Sequence, residues 1–302
     1  MPEKLITILG PTACGKTKLA AQLCYKFNGE IISADSRQVY NGMNIGTGKD
    51  FADYKVNETK IPYHLIDIIE PHEEYNLFLF RKDFTTAINN IIDKNKLPFL
   101  VGGTGLYLSS VLQNYFLETA RFDETEFQYL NSLSVEELRI ILLNIKTDLH
   151  NTTDLIDKGR IIKAIIINKK NTRSLKSSND IQHIVIGVAP GRELIKKRIK
   201  IRLKKRLEEG MIDEVKHLIK NGITHTRLLQ FGLEYKYISK YLANEINYND
   251  MFQKLNSAIN AFAKRQMTWF RKMEREGVTI NWIDEPSVEK SSAIIEMNFN
   301  KD

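Results

Sequence analysis

"GPTACGKT", residues Gly10–Thr17, stands between an apolar run, "KLITILG", and a stretch with apolar residues at helical spacing, "KTKLAAQLCYKF". It fits the phosphate-loop pattern G-x-x-x-x-G-K-[ST], and it does so after a strand and before a helix, the setting that pattern requires. Gly10 and Gly15 permit tight turns, so that successive backbone N–H groups face an anion. The N-terminus of the following helix adds positive potential. Lys16 reaches the outer phosphate oxygens, and the hydroxyl of Thr17 suits Mg²⁺.

Working outward, "EIISAD" reads as a second buried strand, "YHLIDII" as a third, and "LPFLVGGTG" as a strand entering a glycine turn. "LFLFRKDFTTAINNIIDK" reads as a helix between them. This alternation predicts an α/β fold, a phosphate-loop NTPase-like parallel sheet flanked by helices. From about Tyr115 to Asp180 the pattern is helical and polar with no clear strand, and "SVEELRIILLNI" opens with a capping-box spacing. The expected organisation is a catalytic core over 1–114 and 181–302 and an inserted all-helical domain over 115–180. "QHIVIGVAP" returns to the sheet. Helices are expected over about Arg192–Asn221, Leu233–Leu242 and Asn249–Arg275, with a short strand in "TINWI".

The bulk composition narrows the function classes. Of 302 residues, 42% are hydrophobic and 27% charged, which suits a globular protein, and the formal charge of +7 favours a polyanionic partner. Two cysteines, Cys14 and Cys24, make neither a disulfide framework nor a zinc set, and the histidines are scattered. No signal-like or membrane-spanning run is present, so a cytoplasmic protein with no membrane partner is expected.

Beyond the loop, five stretches carry chemistry. Asp35 in "SADSRQVY" falls at the carboxyl end of the second strand, where open parallel sheets gather their sites. A carboxylate there could bind Mg²⁺, cap a helix or accept a proton, and on local sequence helix capping by Asp35 or Ser36 is as well supported as catalysis. "NIGTGKD" and "LVGGTGLYL" are further glycine turns, and with the phosphate loop they are expected to line one crevice. Asp67, flanked by apolar residues, is a poorer metal ligand than Asp35. In "RELIKKRIKIRLKKRLEEG", Arg198 and Arg202 share a helical face and suit phosphates. "NAFAKRQMTWFRKM" mixes basic and aromatic residues, a combination that fits RNA outside and core inside.

In this order and spacing, the motifs resemble those of the bacterial-type tRNA dimethylallyltransferases, also called tRNA isopentenyltransferases, over nearly the whole chain. The resemblance implies transfer of a dimethylallyl group from its diphosphate to the exocyclic amine of the adenine 3′ of the anticodon, with Mg²⁺ required. It implies a monomer. By the same resemblance Asp35 is the general base, with Thr12 and Arg202 also catalytic. Gly10, Pro11, Thr12, Ala13, Cys14, Gly15, Lys16, Thr17 and Arg202 hold the diphosphate, and Thr17 ligates the metal. The residues matching tRNA contacts are Asp35, Ser36, Arg37, Gln38, Thr104, Gly159, Arg160, Ile161, Ile162, Lys163, Lys264, Arg265 and Gln266, with the inserted domain gripping the anticodon arm.

Three departures stand out: Cys14 replaces the usual serine, Phe127 stands where a basic residue is common, and "QFGLEYKYI" alters a glycine-Tyr-Lys-Glu segment. Competing readings are a phosphate-loop kinase of a small molecule or nucleotide, an inactive tRNA-binding protein, and a prenyltransferase of free adenine nucleotides. The first does not explain "FAKRQMTWFRK".

Overall fold

The computed structural model describes residues 4–114, 124–145, 158, 161, 162, 165 and 181–299. Its strands are β1 (Lys4–Leu9), β2 (Gly29–Ala34), β3 (Lys55–Val56), β4 (Thr59–Lys60), β5 (Tyr63–His64), β6 (Leu97–Gly102), β7 (Gln182–Val188) and β8 (Asn281–Ile283). Six of them form one parallel sheet in the order β5-β2-β6-β1-β7-β8, while β3 and β4 make a small antiparallel hairpin. Alternate residues of each strand feed opposite cores. Ile6, Ile8, Ile31, Phe99 and Ile186 pack on one face, and Leu5, Leu9, Ile32, Leu100 and Val185 on the other. Burial on both faces explains why these strands read as unbroken apolar runs.

Helix α1 (Lys16–Phe27) follows the phosphate loop and ends at Asn28, whose left-handed backbone (φ 51°) closes it. Helices α2 (Leu77–Asp93) and α3 (Gly105–Leu112) cover the second face, where Phe80 stacks on Tyr107 at 4.0 Å between ring centres.

The chain divides into two compact units, Met1–Tyr115 with Asp180–Asp302, and Phe116–Asn179. Within the smaller one lie α4 (Glu124–Ser132) and α5 (Val135–Ile145). There Leu130, Leu138 and Leu142 share a buried cluster with Ile161, Ile162 and Ile165. The capping box is reciprocal: Glu137 accepts from the Ser134 N–H at 2.7 Å, and the Glu137 N–H donates to the Ser134 hydroxyl at 3.2 Å.

In the larger unit follow α6 (Arg192–Glu208), α7 (Met211–Lys220), α8 (His225–Phe231), α9 (Leu233–Leu242), α10 (Tyr248–Arg275) and α11 (Val288–Phe299). The single helix expected over Arg192–Asn221 is two. Gly210 takes φ 97°, which ends one helix and starts the next. "YHLIDII" forms a strand only at Tyr63–His64, because Leu65 and Asp67 turn the chain with φ 62° and 54°. The β3–β4 hairpin, α8 and α11 have no counterpart in the sequence reading. No helix among the described residues is long and apolar enough to cross a membrane.

Candidate active site

The phosphate loop leaves the carboxyl end of β1, the central strand, between its parallel neighbours β6 and β7. Cys14 N–H closes a turn on the Pro11 carbonyl, and both Ala13 (φ 65°) and Gly15 (φ 93°) are left-handed, which coils the loop around its own amides. Gly10, Pro11 and Cys14 are buried, whereas Thr12, Lys16 and Thr17 line an open cavity. The Cys14 thiol faces inward, so at this position the loop presents backbone and not a hydroxyl.

Thr12 is fixed from two sides. Its N–H donates to Gln266 Oε1 at 2.8 Å, and its hydroxyl accepts from Arg202. Gln266 also donates to the Gly103 carbonyl at 2.9 Å. Arg198 reaches the Cys14 carbonyl at 3.5 Å. Burial pushes the Arg202 guanidinium down to about 10, and the neighbouring charge of Arg206 adds to the shift. An anion in the cavity would relieve both effects.

Asp35, just past β2, lines the same cavity. Its Oδ1 accepts from the Arg37 N–H at 2.9 Å within a turn and no helix begins there, so the carboxylate stabilises a turn while remaining on the cavity wall. Thr104, after β6, accepts from the Ser36 N–H at 3.1 Å, which joins the loops after β2 and β6. Gln38 accepts from Ser33 at 2.9 Å and donates to the Gly48 carbonyl at 3.2 Å. The third glycine turn is thereby brought in: Thr47, Gly48 and Asp50 line the cavity, and the buried Lys49 pairs with Asp67 behind it. Burial lowers the Lys49 pKa against the pull of Asp67. The local reading of Asp67 thus changes: it is the partner of a buried lysine.

Among the wall residues that sequence reasoning did not single out are Glu234, Asp50 and Arg206. Glu234 is buried and binds Arg37 at 2.7 Å, while Arg37 lies 5.8 Å from the centre of the Phe262 ring. Burial opposes the Arg37 charge, but Glu234 and Asp35 outweigh it and hold the guanidinium protonated. Arg206 pairs with Asp50 at 3.3 Å. Glu214, outside the wall, accepts three consecutive N–H groups, from Asn44 (2.8 Å), Ile45 (2.6 Å) and Gly46 (3.0 Å), together with the Tyr235 hydroxyl (2.8 Å). It moulds the 44–50 loop as an anion moulds a nest. The local signal for Glu234 was a single acidic residue in "QFGLEYKYI".

The expected nucleic-acid contacts divide. On α10, Lys264 and Arg265 are exposed while Gln266 is buried, its amide spent on Thr12 and Gly103. In "GRIIK" the side chains of Ile161 and Ile162 are 0% and 1% exposed and pack in the core of the smaller unit. Gly159, Arg160, Lys163 and the side chain of Phe127 lie outside the described residues.

The cavity offers oxygen ligands to a cation: the Thr17 hydroxyl, with the Asp35 carboxylate on the same wall. Among the described residues no group of three or more His, Cys, Asp or Glu side chains could form a dedicated metal cage. That donor set fits Mg²⁺, which takes a few protein oxygens and completes its shell with phosphate and water.

The chain matches the family model "IPP transferase" over residues 38–273 and "Isopentenyl transferase" over residues 3–67. It is 46% identical over 302 residues to tRNA dimethylallyltransferase 1 of Geotalea uraniireducens (99% of each chain), and 50% identical over 285 residues to that of Azobacteroides pseudotrichonymphae (93% of each). Among solved structures it is similar to the full-length tRNA isopentenylpyrophosphate transferase of Bacillus halodurans (34% identity, TM-score 0.69, 99% of this chain and 96% of that one). A eukaryotic dimethylallyltransferase acting on tRNA shares the fold at 23% identity (TM-score 0.76, 93% of this chain and 74% of that one). With a phosphate loop, an acidic strand end and a basic helix converging on one cavity, and with relatives alike from end to end, the chain belongs to the IPP transferase family.

Proposed function

We propose that the chain transfers a dimethylallyl group from dimethylallyl diphosphate to N6 of the adenine 3′ of the anticodon in tRNA, releasing diphosphate. The observation that carries this reading is the convergence of Asp35, Lys16, Thr17, Thr12 and Arg202 on one cavity, an acid–base group opposite a diphosphate cradle. An adenine amine is a poor nucleophile because its lone pair is delocalised into the ring. As N6 attacks the allylic carbon, the C–N bond forms, the C–O bond to diphosphate breaks, and Asp35 takes the proton from N6. Lys16, Thr12, Arg202 and the loop N–H groups hold the charge that grows on the leaving oxygen. Thr17 would hold Mg²⁺, which would supply further neutralisation of that charge.

The adenine must leave the anticodon stack to reach the cavity. Asp35, Arg37 and Gln38 line the cavity it enters, Ser36 and Thr104 contact the tRNA beside them, and Lys264 and Arg265 engage the tRNA backbone. The inserted helical unit holds the anticodon arm, and the enzyme works as a monomer.

The test is incubation with tRNA, labelled dimethylallyl diphosphate and Mg²⁺, beside parallel reactions with ATP and with AMP. Label in tRNA is expected. Label in AMP would move the acceptor to a free nucleotide, and ATP consumption without transfer would indicate a kinase. Lys16→Ala should weaken pyrophosphate binding, and Arg202→Ala should slow transfer by about 10²-fold, the scale of a lost charge-stabilising donor. Wild-type affinity and rate in both variants would remove the cradle.

A further inference from the structure

Arg206 lies one helical turn beyond Arg202 on α6 and is 6% exposed, yet it belongs to the cavity wall. Among the described residues its one hydrogen-bonding partner is Asp50, reached through a single nitrogen at 3.3 and 3.5 Å from the two carboxylate oxygens. A guanidinium has five N–H donors and favours a bidentate fork at shorter range. This pair is long and uses one nitrogen, which leaves the three N–H groups of Nε and Nη1 unspent at a nearly buried site. The Asp50 carboxylate is 54% exposed, so it retains access to water.

The 44–50 loop is shaped around this guanidinium. A Cβ on Gly48 would fall 2.2 Å from Arg206 Nη2, and Gly48 has φ 72°. Glu214 anchors the first half of the same loop through three N–H groups. Arg202, beside it, already carries a charge opposed by that of Arg206. The cavity wall sets four cations, Lys16, Arg37, Arg202 and Arg206, against three carboxylates, Asp35, Asp50 and Glu234, and Glu234 is engaged by Arg37, so an anion entering beside the two guanidiniums meets net positive charge.

We propose that Arg206 is a second guanidinium ligand of the donor diphosphate, held by Asp50 while the cavity is empty and transferred to phosphate oxygens when the donor binds. The inference rests on the diphosphate cradle proposed above. It gives opposite signs to two substitutions on one ion pair. Loss of Arg206 removes a ligand, whereas neutralising Asp50 removes that ligand's competitor.

The experiment measures pyrophosphate binding to the full-length protein by titration calorimetry in the presence of Mg²⁺, with steady-state transfer to tRNA alongside. Arg206→Met should weaken pyrophosphate binding by roughly tenfold or more, the scale of one hydrogen bond to a charged group. It should raise KM for dimethylallyl diphosphate and leave KM for tRNA near wild type. Asp50→Asn, which leaves the arginine in place, should tighten pyrophosphate binding several-fold. The double variant should match Arg206→Met. Weaker or unchanged binding in Asp50→Asn overturns the proposal, as does an Arg206→Met variant that loses only thermal stability. If wild-type protein neither binds pyrophosphate nor labels tRNA, the cradle itself fails. If it does both and the variants match it, only the role of Arg206 falls.

Discussion

Thr12 shows how a short motif is completed by distant residues. Its N–H and its hydroxyl are held by α10 and α6 respectively, so its rotamer is set by chain far from the loop. Lys16, Thr17 and Asp35 were legible in the sequence because each is fixed by spacing from a glycine turn or a strand end. Glu234, Asp50 and Arg206 were not, since their meaning lies in ion pairs across long sequence separations that no local pattern encodes. Gln266 was legible as part of a motif, but the buried side of α10 assigns it to the loop. Asp35→Ala should reduce single-turnover transfer of labelled dimethylallyl groups by at least about 10²-fold, the usual scale of a lost general base. Binding of tRNA should stay within a few-fold of wild type. Transfer at the wild-type rate would place the proton acceptor elsewhere.

At the scale of elements, the long strands β1, β2, β6 and β7 followed from their apolar runs, the boundaries of α1, α9 and α10 from periodicity, and the capping box placed the start of α5. Failures came where one residue's backbone overrode its neighbours' pattern, as at Gly210, Leu65 and Asp67. The end of the sheet opposite the cavity has its own tie. Buried Glu30 in β2 binds His64 of β5 at 2.7 Å, and Lys96, just before β6, at 2.8 Å. Burial opposes its charge, but the bonds to Lys96 and His64 prevail and hold its carboxyl below the ordinary value of 4.5. A depressed carboxylate contributes stability above its unfolded-state pKa and loses it as pH falls through the folded-state value. Wild-type melting temperature should therefore drop on acidification below about pH 4.5, and Glu30→Gln, less stable at neutral pH, should show a shallower drop. Parallel acid limbs in thermal melts would assign the transition to other carboxylates.

Over the whole molecule, the formal charge of +7 is less informative than its placement. Lys264 and Arg265 are exposed one step from the buried Gln266, so the helix that braces the phosphate loop also presents cations to solvent. Replacing both with alanine should weaken tRNA binding similarly across substrates. It should also flatten the dependence of log K on log salt by about 0.7 per lost phosphate contact to single-stranded nucleic acid. Filter binding at several salt concentrations measures this, and an unchanged slope would move the contact to another face.

The order of strands has a consequence for how the protein is made. Central β1 pairs with β6 on one side and, from Lys4 opposite Gln182, with β7 on the other. During synthesis β1 leaves the ribosome early, but one of its edges has no partner until more than half the chain, the helical insertion included, has followed. Such long-range pairing is slow and exposes a sticky edge meanwhile. The phosphate loop at the tip of β1 therefore takes its working shape only after translation passes β7, and α6 and α10, which brace it, emerge later still. A nascent chain stalled in the insertion would carry the most recognisable motif of the protein and have no cavity for it to serve.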